Sequence, residues 1–145
     1  MSNSSIEEEI RTTGRLVYSN RGQSMLPLIR EGKDAVVLVK PQGRLRKYDV
    51  PLYKPTPFDG RYVLHRIIKV RDTDYVIRGD NCITKEVGIK DEDIVGVLAS
   101  VLRSGKEVKT TDFGYKLYSR IWVWLFPLRY CWRGFKSVVR RIVKK

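Results

Sequence analysis

Between residues 16 and 103 the chain is a succession of short β-branched runs. Each is closed within a few residues by Gly, Pro, Asn or Asp. No stretch there keeps apolar residues at a three-to-four spacing long enough for a core helix. That texture constrains the fold most: it predicts an all-β core. "RLVYS" (15–19) reads as a strand. "AVVLVK" (35–40) is nearly continuously apolar and reads as a strand buried on both faces. "KYDVPLYK" (47–54) is strand-like, with a Pro that places it at an edge or bulge. "RYVLHRIIKV" (61–70) and "DYVIRGDN" (74–81) form a hairpin across the turn "RDTD". "DIVGVLASVLR" (93–103) is the last long strand, with Gly96 as a candidate bulge, and "SGKE" (104–107) turns the chain.

Two flanking segments read differently. Residues 1–14 form a helical segment, with a helix over 5–13. Ser5 and Glu8 have capping-box spacing, and Gly14 ends the helix. Residues 112–145 form a basic tail, with nine Lys/Arg against one Asp, whereas the whole chain carries +13. After Pro127, Leu128, Trp132, Phe135, Val139 and Ile142 recur at helical spacing. Arg129, Arg133, Lys136, Arg140 and Lys144 recur on another face. This predicts a cationic amphipathic helix. Trp122, Trp124 and Phe126 precede it, aromatics of the kind found at membrane interfaces. The expected partner of residues 116–145 is an anionic membrane surface, with the chain peripheral to it. Nucleic acid is the less favoured partner, because residues 1–111 hold no DNA-reading motif. If instead the three aromatics pack on the sheet, the charges are simply solvated.

No run approaches the roughly 18 apolar residues of a spanning helix. The N-terminus is polar and acidic rather than signal-like. Cys82 and Cys131, with a single His, do not make a zinc set, and no cofactor is expected.

The chemistry concentrates in "GQSMLPLI" (22–29). Gly and Pro suit a turn, yet a plain turn needs no Ser-Met pair. Ser24 is a candidate nucleophile, which requires a base to take its proton. His65 is the only imidazole and the candidate base. The base needs an orienting acceptor, for which Asp80 in "RGDNC" and Glu86 are candidates. Taken singly, each has a plain structural reading as turn or surface residue.

Taken together, G-x-S-M-x-P, Y-D-V, V-x-H-R-I-I, R-G-D-N and D-I-V-G-V, in that order over residues 15–102, resemble the S24/S26 superfamily of serine peptidases. The signal-peptidase branch is the nearest. The resemblance implies the mainly β fold of that superfamily over residues 15–111, and serine endopeptidase activity on a leader or signal segment of a peptide or precursor protein. It implies Ser24 as nucleophile. Bacterial signal peptidases and LexA-type members use a Lys base, whereas the archaeal and endoplasmic-reticulum branch has a His before the Arg, matching His65–Arg66. Glu86 stands where that branch carries an Asp. Gly22 stands where a hydroxyl residue often assists the oxyanion hole, leaving backbone N–H groups such as that of Ser24. The expectation is that Glu86 orients His65 and Asp80 braces its loop. Gly22 is expected to permit close backbone approach, Met25 to fill an apolar pocket or face the membrane, and Pro27 to fix the turn. Met25 and Pro27 are expected to line the substrate groove. A LexA-type self-cleaving domain and a non-catalytic adaptor keeping the fold are the alternative readings.

Overall fold

The computed structural model describes residues 3–144. α1 (Asn3–Thr13) opens the chain, followed by β1 (Arg15–Tyr18), β2 (Asp34–Val39), β3 (Pro51–Tyr53), β4 (Val63–Leu64) and β5 (Arg66–Val70). Then come β6 (Tyr75–Arg78), β7 (Glu86–Ile89), β8 (Ile94–Arg103), β9 (Lys106–Lys109), α2 (Phe113–Trp124) and α3 (Phe126–Val143). Helix and strand each take about 30 % of the chain. β structure therefore builds the core without dominating the chain.

The strands form two antiparallel sheets. The larger runs β1-β2-β8-β3-β4, with β9 also paired to β8. β8 is long enough to serve β2 along one edge, while β3 and then β9 share its other edge. The smaller sheet runs β5-β6-β7. Each sheet has its own apolar cluster. The larger is packed by Ile6 and Ile10 of α1, Leu16, Val36, Leu38, Leu52, Leu98 and Val101. The smaller is built on Ile67, Tyr75, Ile77 and Ile89, joined by Tyr53 from the larger sheet. Leu52 and Tyr53 alternate faces of β3, so one short strand feeds both clusters.

Several sequence expectations change here. Residues 61–70 are not one strand. Val63–Leu64 pair with β3, Arg66–Val70 pair with β6, and His65 lies at the crossing between the two sheets. β7 and β9 are strands the sequence reading did not find. Gly96 is not itself the bulge residue. The registers of β8 skip Val95 and Ala99 instead, and Gly96 makes room for α1, because a Cβ there would lie 3.1 Å from Ile10. Ser5 lies inside α1 rather than capping it. Gly14 does close the helix, with φ +74° and its N–H on the Ile10 carbonyl at 2.9 Å.

The tail is two helices. α2 docks on the body through Tyr115 and Ser119, both buried. Leu125 separates it from α3, which carries Pro127 in its first turn.

Candidate functional site

The crossing at His65 brings both sheets and two loops to one place. The His65 side chain is mostly buried, with a small exposed edge, and its Nδ1 lies 3.0 Å from Glu86 Oε1. Glu86 opens β7, opposite Ile77 of β6. The Tyr53 hydroxyl donates to the same carboxylate oxygen at 2.8 Å and sits 3.3 Å from His65 Nδ1. The bond from His65 holds the Glu86 carboxyl below its ordinary range, with Tyr53 adding to the effect against the opposing pull of burial. Burial, and then the neighbouring Glu86, push the Tyr53 phenol far up, so it remains a donor. With an ionised acceptor at Nδ1, the Nδ1–H tautomer is favoured and Nε2 is left as a lone-pair base.

Cδ2, the ring atom bonded to Nε2, faces Gly79. A Cβ at Gly79 would lie 3.0 Å from it and 2.6 Å from the Ser24 carbonyl oxygen. Gly79 is therefore the thin wall across which the imidazole and the Ser24 backbone approach each other. Gly22 does not have that role: nothing lies within 4 Å of its would-be Cβ, and its φ of +89° makes it a turn glycine. The Ser24 loop is tied to the Gly79–Cys82 turn. Asn81 donates its backbone N–H to the Ser24 carbonyl at 2.8 Å, and its side-chain amide to the Gln23 carbonyl at 3.0 Å. Among the described residues the His65 ring bonds only Glu86 and Tyr53.

Asp80 is not at the imidazole. Its carboxylate takes two bonds from Arg66, at 2.7 and 2.8 Å, and one from Tyr118 at 2.9 Å. Arg66 has no exposed side-chain surface and Asp80 almost none. Burial alone would lower the guanidinium pKa, but Asp80 outweighs it and the net shift is upward. The pair is structural, holding the Gly79–Asn81 turn against the body.

Met25 is fully buried in the larger core cluster. It offers no surface to a substrate, which corrects the groove-lining expectation and leaves the pocket-filling one. Pro27 is exposed. Cys82 and Cys131 are free thiols. Cys82 lies beside the site with Sγ 3.9 Å from the Ser24 carbonyl. Burial and then Glu86 push its thiol up, so it is a neutral neighbour and no competing thiolate.

Residues the sequence reading left out complete the surroundings. Tyr53 had no motif to announce it. Trp122, read as an interface aromatic, donates its indole N–H to the Asp80 carbonyl at 2.8 Å. Arg129 donates to the same carbonyl at 3.1 Å, and Arg133 to the Asn81 carbonyl at 3.1 Å. A cleft of about 760 Å³ lies nearby, lined by Val17 and Tyr18 of β1, by residues 60–62, and by Gly22 two places before Ser24.

Comparison with protein-family models, with known proteins and with solved structures returns no match.

Proposed function

We propose that the chain is a serine endopeptidase of signal-peptidase type, with the S24/S26 fold over residues 15–111, that cleaves a leader or signal segment. The observation that carries this reading is the contact of His65 Nδ1 with Glu86, with the other edge of the ring turned toward the Ser24 loop across Gly79. The ordered resemblance of the Ser-Met, His-Arg and Gly-Asp-Asn boxes supports it independently.

In this mechanism the Ser24 hydroxyl attacks the scissile carbonyl and its proton passes to His65 Nε2. Glu86 stabilises the imidazolium through Nδ1–H without taking the proton. Backbone N–H groups, that of Ser24 among them, receive the oxyanion. His65 then protonates the leaving amine. Water enters and gives a proton to His65, its oxygen displaces the Ser24 oxygen from the acyl group, and His65 returns the proton to that leaving Ser24 oxygen. β1 is an edge strand beside the cleft, so an extended peptide can add to it with its scissile bond toward Ser24.

The test is labelling by a fluorophosphonate probe, together with cleavage of a peptide library rich in leader-type segments. Wild type is expected to label at Ser24 and cut. Ser24→Ala and His65→Ala are expected to fall by several orders of magnitude, and the double variant little further. Equal labelling of wild type and Ser24→Ala would remove Ser24 as the nucleophile.

A further inference from the structure

α3 touches the rest of the chain along its polar side. Arg129 and Arg133 reach the Asp80 and Asn81 carbonyls, and Phe126 lies under the Arg78 guanidinium. Leu128, Trp132, Phe135, Val139 and Ile142 fall within an arc of roughly 80°, centred roughly 130° around the helix from those contacts. α3 buries none of its residues. Leu128 is 68 % exposed, Phe135 60 % and Ile142 68 %. A helix held by packing on its own domain turns its apolar arc inward; this one turns it away. Lys136 and Arg129 border the arc, Arg140, Arg133 and Lys144 follow farther round on the same side, and residues 126–143 contain no acidic side chain.

An exposed apolar arc bordered by cations matches one surface chemistry, an anionic bilayer. There the arc enters the acyl boundary, and the cations stay at headgroup level with their stems against lipid. A nucleic acid would use the cations and leave the apolar arc in water. A second copy would cover the arc, but would set two like-charged rows side by side.

We propose that α3 lies in the plane of an anionic lipid surface with this arc immersed, and that Arg129 and Arg133 hold the Asp80–Asn81 turn directly above the headgroups. That turn is hydrogen-bonded to Ser24 and Gln23. The Ser24 loop is thus two hydrogen-bonded steps from the lipid-facing helix. The site's use at that surface rests on the peptidase reading; the docking does not.

The experiment uses the whole chain with vesicles of phosphatidylcholine, alone or with about one third phosphatidylglycerol. Co-sedimentation is expected with the anionic vesicles only, and to weaken as salt is raised. Trp132→Glu with Phe135→Glu should lower binding by about tenfold or more. Both positions are exposed, so an unchanged melting curve is the control for folding. Ser24→Ala should bind vesicles like wild type. A leader peptide anchored in the anionic vesicles should be cut faster than the same peptide in solution, and the doubly substituted protein should lose that advantage. The docking proposal is overturned by equal binding to both vesicles, by no binding, by binding of duplex nucleic acid with vesicles ignored, or by arc-dependent dimerisation without vesicles. Anionic binding without cleavage of any peptide sustains the docking and removes the peptidase reading.

Discussion

His65 and Arg66 are neighbours in sequence with opposite tasks, because the chain changes sheets between them. His65 keeps a small exposed edge and is turned to Glu86, whereas Arg66 is sealed against Asp80. Two substitutions separate the tasks. Glu86→Gln keeps the shape and removes the charge facing Nδ1, so turnover should fall by about a thousandfold or more with little change in melting temperature. Unchanged turnover would mean that Glu86 does not act on the imidazole. Asp80→Ala leaves a fully buried guanidinium short of its anion, which should lower stability by about 3–5 kcal/mol. Asp80→Asn, which still accepts one bond, should lose less. A denaturant titration in which Asp80→Ala matches wild type would show that the pair contributes nothing.

At the scale of elements, the seam between the Ser24 loop and the Gly79–Cys82 turn decides whether the candidate site can assemble. Gly79→Ala should force the Ser24 carbonyl and the imidazole apart, because the new Cβ would meet backbone at 2.6 Å. Cleavage should fall more steeply than stability, and a crystal structure should show the loop displaced; full activity in this variant would exclude close approach as the requirement. The Ser-Met and Gly-Asp-Asn boxes were legible in the sequence because turn chemistry is local. The seam between them was not, since it joins residues 58 positions apart. β2 and β8 were legible from their β-branched runs. β7 escaped because Gly88, at φ +82°, interrupts a strand of four residues. β9 escaped because all four of its residues are exposed and three are charged, leaving no alternation to read. α2 escaped because its buried positions are a Tyr and a Ser, while Phe113, Leu117, Ile121 and Trp124 lie on its exposed side. The division at His65 left no sequence signal either: period-two alternation says which face a residue takes, not which sheet receives it.

Over the whole molecule, charge is the quantity that responds to solution conditions. Of 16 acidic residues, 15 lie before residue 112, and several of them sit in ion pairs with basic side chains. Asp34 is the most consequential. Its side chain is fully buried between Arg30 and Arg103. Burial alone would raise its pKa, but the bonds from Arg30 and then Arg103 overcome that and hold it far below the usual carboxylate range. Lys54 and Tyr62 hold Glu7 down, and Arg71 holds Asp74 down. A carboxyl depressed on folding contributes stability that is complete above its unfolded value, near ~4. That contribution is lost as pH falls through the folded value. The melting temperature should therefore be nearly flat from neutral pH down to about pH 5 and fall steeply below about pH 4. Two sources of the fall can be separated. Loss of the Asp34 ion pairs is buried and responds weakly to salt, whereas self-repulsion of an increasingly cationic surface is screened. Added salt should then recover part of the acid loss and not all of it. Asp34→Asn should be less stable at neutral pH and show a shallower acid limb than wild type. A parallel limb in that variant would assign the acid sensitivity to surface repulsion and to the exposed pairs instead.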